Sequence, residues 1–131
     1  MNGVDLIRAY WASFNEADYA KTGATFFTEN CVFEMPGHKV MGRENIVKDF
    51  IEGHKVVKST LTPVNVVAQG NLVVAELVAQ FEVLEDNPNF PVKPVKKGDT
   101  FTMRDAVFYE LTGNKISYVR LYRFLGVPRV G

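Results

Sequence analysis

The segment STLTPVNVVAQGNLVVAELVAQFEVLE, residues 59–85, is where the chain changes character. Its first half alternates imperfectly between apolar and polar residues and stops at Gly70 and Asn71, a dipeptide suited to a two-residue hairpin turn. Its second half, from Leu72, is a long run rich in Val, Leu and Phe that reads as an extended strand. A β-hairpin is expected here, and the residues before it follow a different period.

Upstream, Leu6, Ile7, Tyr10, Trp11 and Phe14 recur at helical spacing, so residues 4–18 read as an amphipathic helix that must lie on something apolar. YAKTGATFF (19–27) reads as a second short helix, and CVFEM (31–35) as a strand ended by Pro36 and Gly37. GRENIVKDFIEGHKV (42–56) gives a third helix, with Ile46, Val47, Phe50 and Ile51 on one face and an end near Gly53. Downstream, residues 86–98 contain Pro88, Pro91, Pro94 and three lysines and cannot form a central strand, so they read as a long extended loop. TFTMRDAVFYEL (100–111) and KISYVRLYRFL (115–125) are the last two strands, joined through TGN. Helices first and hairpin-connected strands after is the order of an α+β domain. A curved antiparallel sheet wrapped over the N-terminal helix forms a cone, and its concave interior is where a small ligand binds.

With 131 residues, 47% of them apolar, the chain suits one core, and residues 1–131 are read as a single domain. Lys plus Arg and Asp plus Glu are 15 each, so no net field draws a nucleic acid or an anionic membrane. The expected partner is a small molecule or another protein. The single cysteine, Cys31, lies in an apolar run and is read as a small hydrophobe. The first residues lack the basic, apolar and small-residue regions of a signal peptide, and no run reaches the roughly 20 apolar residues of a membrane span. A cytoplasmic location is the expectation. Phosphate loops, HExxH, paired CxxC and GxSxG motifs are missing.

Asp105 carries the most chemistry. Strand alternation places it with Phe101, Met103, Val107 and Tyr109 on the more apolar face of its strand. A carboxylate buried there must be paired, or else it stays protonated and acts as a donor. The paired alternative requires an arginine of the last strand. A two-residue turn sets Asp105 opposite Tyr122 and beside Arg120, and a three-residue loop sets it opposite Leu121 and beside Val119 and Arg123. Tyr10 lies on the apolar stripe of the first helix and needs a partner for its hydroxyl. His38, in a loop, and His54, near a helix C-terminus, can titrate near neutrality, but two distant histidines do not make a metal site.

LIRAYWASFNEADYAKTGATFFTENCVFEMPGHKVMGRENIVKDF (6–50) and RDAVFYELTGNKISYVRLY (104–122) resemble the nuclear transport factor 2-like superfamily, in particular its SnoaL-like and ketosteroid-isomerase-like members. The resemblance implies a cone-shaped α+β barrel with an interior pocket, often dimeric through the outer sheet face. In ketosteroid isomerases, Tyr10 falls on the tyrosine that donates to the substrate oxygen, and Asp105 on the protonated aspartate beside it. In SnoaL-like cyclases the same strand position holds an acid/base aspartate. EMPG (34–37) departs from the isomerase pattern, because Met35 occupies the place of the catalytic base and cannot take a proton. Phe50 likewise stands where a supporting tyrosine would be.

The resemblance therefore implies a cofactor-independent cyclase, isomerase or dehydratase acting on an oxygenated hydrophobic compound, polyketide-, terpenoid- or steroid-like. Asp105, Tyr10 and His38 are its candidate catalytic residues, and Phe14, Met35, Phe50, Met103, Val107, Val119 and Leu121 its candidate walls. No metal or organic cofactor is expected, and a homodimer is. The alternative is a non-catalytic ligand-binding or dimerisation module of the same fold. An epoxide-hydrolase-like water site is disfavoured, since Leu121 stands where a second acid would be wanted.

Overall fold

The computed structural model describes residues 2–89 and 94–124. Their order is α1 (Gly3–Asn15), α2 (Tyr19–Phe26), β1 (Phe27–Met35), β2 (His38–Met41), α3 (Arg43–Gly53), β3 (Val57–Gln69), β4 (Leu72–Val83), β5 (Thr100–Thr112) and β6 (Lys115–Arg123). The strands form one curved sheet in the order β2, β1, β6, β5, β4, β3. This is the α+β cone expected, with two corrections. The sheet is open, with β2 and β3 as its edges, so it is not a closed barrel. It is also mixed, because β1 and β6 pair in parallel while the other neighbours are antiparallel. Residues 38–41, of which His38 was read above as loop, form a short edge strand against β1 after a turn at Gly37, whose φ of 72° suits glycine.

Helix α1 begins at Asn2, whose side chain accepts from the Asp5 N–H at 2.8 Å, a good N-cap. Its buried stripe of Leu6, Ile7, Tyr10, Trp11 and Phe14 is the one the spacing gives. These side chains join Val73, Ala75, Leu77, Val107, Tyr109 and Val119 of the sheet in one core. Burying each large apolar side chain is worth about 1.5–3 kcal/mol, which fixes α1 across the concave face. Asn15 pins the end of the helix to β3: its amide donates to the Leu61 carbonyl at 2.9 Å and its Oδ1 accepts from the Leu61 N–H at 2.8 Å.

Helices α2 and α3 pack closely at Gly23, where a Cβ would sit 2.3 Å from a Val47 methyl. Ile46 and Phe50 of α3 are buried, whereas Ile51, read above as part of the same face, is 42% exposed. The expected turn at Gly70 and Asn71 joins β3 and β4, with Gln69 opposite Leu72.

The β5–β6 hairpin decides where the chemistry lies. Its turn is the two-residue Gly113–Asn114, with Thr112 opposite Lys115, yet the register shifts by one between Glu110 and Leu111. Ser117 is the extra residue, a β-bulge held by its hydroxyl, which donates to the Glu110 carbonyl at 3.1 Å and accepts from the Thr112 hydroxyl at 2.9 Å. In consequence Asp105 stands opposite Arg123, a register neither loop length alone would give. The Pro-rich segment 86–98 is described in part, with Asn87 and Val95 forming an isolated bridge. Pro91 lies outside the described residues.

Candidate functional site

Between α1, α3 and the concave sheet face lies a cavity of about 270 Å³. That is close to the lower end of small-molecule sites, roughly 300 Å³, and suits a ligand of a few fused rings at most. Its walls are mainly apolar: Phe14 from α1, Phe33 and Met35 from β1, Phe50 from α3, Leu61 from β3, Leu77 and Phe81 from β4, Val107 from β5, and Val119 and Leu121 from β6.

Besides Asp49 of α3, four polar groups interrupt this lining. The first is Asp105, whose side chain is fully buried and whose two oxygens accept from Nε and Nη2 of Arg123, each at 2.9 Å. A bidentate guanidinium is the strongest pairing open to a buried carboxylate. The Arg123 guanidinium in turn lies 5.2 Å over the ring of Phe81. Of the two readings of Asp105, the structure has the ion pair, with Arg123 rather than Arg120. Arg120 faces outward and pairs with Glu110.

The second is Tyr10, packed edge-on against Phe26 and Tyr109 and tilted against Phe27. Its hydroxyl has no hydrogen-bond partner among the described residues, and none of their buried side-chain polar atoms is orphaned. The oxygen must therefore open on the cavity it lines. Burial, reinforced by Tyr109, Cys31 and Tyr19 close by, holds its pKa well above the usual phenol value. Tyr10 is thus a donor at neutral pH.

The third is Tyr109. Trp11 Nε1 donates to its oxygen at 2.8 Å, which occupies an acceptor position and leaves the phenol proton to point elsewhere. Burial raises its pKa, the Trp11 bond opposes this, and the Asp105 charge adds to it.

The fourth is His54 with Ser59. Nδ1 lies 2.6 Å from the Phe50 carbonyl and Nε2 lies 2.9 Å from the Ser59 hydroxyl. Burial lowers the His54 pKa, against the Phe50 carbonyl bond and the Asp49 charge, so the ring is neutral at neutral pH.

Comparison with known proteins adds the family to this geometry. The model of the SnoaL-like domain matches residues 7–119. The chain belongs to the SnoaL-like family. Among curated protein sequences there is no significant match. Solved structures agree on the fold. A candidate polyketide cyclase from Xanthomonas campestris pv. campestris superposes with a TM-score of 0.81 at 22% identity, over 93% of this chain and 90% of that one. A protein of ketosteroid-isomerase-like fold from Catenulispora acidiphila gives 0.73 at 17%, over 89% and 83%. An epoxide hydrolase from M. tuberculosis gives 0.74 at 13%, over 92% and 81%.

Within this SnoaL-like cone, the structure brings Asp105, Tyr10, Phe14, Met35, Phe50, Val107, Val119 and Leu121 to one cavity. It does not bring His38 or Met103. His38 is on the exposed edge strand, where Nε2 meets Asp49 at 2.9 Å, and only Asp49 reaches the cavity. Met103 points inward farther along β5, into a second cluster with Val57, Ala79 and Phe81. Glu34 turns away from Met35 and accepts from the Tyr118 hydroxyl at 3.2 Å, so it cannot stand in for a base. Cys31 is buried, its thiol pushed up to about 12 by burial, and does not line the cavity.

The polar cavity residues Tyr109, His54, Ser59, Asp49 and Arg123 were absent from the sequence-based site. Tyr109 was legible, since it shares the strand face of Asp105. His54 and Ser59 carry no periodic signal, because they meet across a helix-to-strand junction.

Proposed function

We propose that the cavity is an acid/base site for a hydrophobic, oxygen-bearing small molecule, and that the reaction is a cyclisation, isomerisation or dehydration through an enolate-type intermediate, run by protein side chains alone. The observation that carries this is the convergence of two phenol donors, Tyr10 and Tyr109, and a buried carboxylate, Asp105, on one apolar cavity. An apolar wall strengthens each of these groups, because water does not screen them. Tyr10 and Tyr109 stabilise the oxygen on which negative charge develops. Asp105, paired with Arg123, exchanges a proton with the ligand carbon, the task that Met35 cannot perform. The small volume favours a two- or three-ring carbonyl compound of polyketide or terpenoid type over a full steroid. Binding of phenols and naphthols, whose oxygen mimics an enolate, tests the site.

A second reading, a binding module without catalysis, is supported by the Asp105–Arg123 pair itself, since a bidentate pair is a stable structural end state. Proton exchange at a bound ketone separates the two. The outer sheet face supports a homodimer under either reading. It carries Val74, Val78, Ala106, Phe108 and the 57%-exposed Tyr122, ringed by the Glu76–Arg104 and Glu110–Arg120 ion pairs.

A further inference from the structure

Ser59 and His54 are fixed in a way that goes beyond filling a wall. A backbone carbonyl can only accept, so the Nδ1 atom 2.6 Å from the Phe50 carbonyl must carry the ring proton. In the neutral ring Nε2 is then a bare acceptor, and the Ser59 hydroxyl, 2.9 Å away, donates to it. Among the described residues nothing donates to the Ser59 oxygen, which keeps its lone pairs on a residue that lines the cavity. The imidazole is locked further by its position as the C-cap of α3 and by Tyr19, whose ring centroid is 4.7 Å away. Ser59 pairs with Phe81 across β3 and β4, and the same Phe81 ring lies under the Arg123 guanidinium. An aromatic ring therefore separates this pair from the Asp105–Arg123 pair.

We propose that Ser59 and His54 form a hydrogen-bond-accepting subsite for a hydroxyl group of the ligand, so that the molecule this cavity takes is a hydroxylated carbonyl compound. The proposal rests on the acid/base reading above and adds a second oxygen to its substrate. The ligand hydroxyl donates to Ser59 Oγ, while Ser59 goes on donating to His54 Nε2 and Nδ1 to the Phe50 carbonyl. No proton changes hands, because burial lowers the His54 pKa and keeps the ring neutral, against the Asp49 charge on α3. The other ionisable groups around the ring are Tyr19 on α2, and Asp18 and Lys58, which share a surface hollow with His54.

The test uses 2-tetralone, its ring-hydroxylated isomers and their methyl ethers. Binding is measured by competition. At least one hydroxy isomer is expected to bind about tenfold more tightly than its methyl ether, the worth of one good hydrogen bond. Ser59→Ala and His54→Asn should lose the preference. The asparagine retains a donor for Phe50, and circular dichroism verifies folding. Nitrogen NMR of the free protein should show the Nδ1–H tautomer. Binding of the parent ketone without any gain from a hydroxyl would overturn the subsite alone, as would a hydroxyl preference that survives in both variants or an Nε2–H tautomer. If neither ketone nor hydroxyketone binds, the acid/base reading falls and the subsite falls with it.

Discussion

Asp105 has to satisfy two demands at once. Burial obliges it to be paired, and Arg123 meets that need with two hydrogen bonds of 2.9 Å. Proton exchange with a ligand obliges the same carboxylate to be reached from the cavity, whose lining includes Asp105 although its side chain is fully buried beside Arg123. Asp105→Asn separates these roles, since an amide oxygen still accepts from Arg123 but cannot take up a proton. The variant is expected to stay folded and to lose deuterium uptake from D₂O at the α-carbon of 2-tetralone by about 10²-fold or more, the usual worth of a positioned base. An unchanged rate would remove Asp105 from the chemistry and leave it an ion-pair residue. Much of this was legible. Strand parity put Asp105 inside and helical spacing put Tyr10 on the buried stripe. The arginine was not legible, because the choice between Arg120 and Arg123 turned on a bulge at Ser117 that shifts every later pairing by one residue. Nor was the contact of His54 with Ser59, which depends on the angle at which β3 leaves the C-cap of α3.

The elements follow the hydrophobic periods closely, and their departures have local causes. β2 escaped the sequence reading because HKVM is short and follows Pro36 and Gly37; it is a strand only because β1 offers a free edge. The placement of α3 is more demanding, since this helix brings Phe50, Asp49 and His54 to the cavity. Its approach to α2 depends on Gly23, where a methyl would sit 2.3 Å from Val47. Gly23→Ala gains helix propensity, about 1 kcal/mol, but must push α3 outward. Overpacking of this kind costs about 1–3 kcal/mol, so a net loss of stability is expected in urea denaturation, and Gly23→Ala combined with Val47→Ala should recover it. A single variant at least as stable as the parent would show that α2 and α3 are not in close contact there.

For the whole molecule, the helices-then-hairpins order and the family resemblance gave the α+β cone. The parallel join of β1 to β6 lay beyond local reasoning, since the two strands are separated by most of the chain. The sheet has one face over the cavity and one face outside. The apolar centre of that outer face, around Ala106 and Phe108, is expected to pair two copies. Sedimentation equilibrium should give twice the 14.7 kDa chain mass, falling to the monomer for Ala106→Lys. A monomeric parent protein would contradict this.

The central claim concerns the inner face, that the cavity receives an oxygen on which charge develops. Titration with planar phenols and naphthols of graded pKa, followed by absorbance, tests it most directly. The expected result is saturable binding that strengthens as the ligand approaches its anion, weakened about tenfold in Tyr10→Phe, the loss of one good hydrogen bond. Absence of binding by every ligand, or equal binding by the parent protein and a folded Tyr10→Phe, would contradict it.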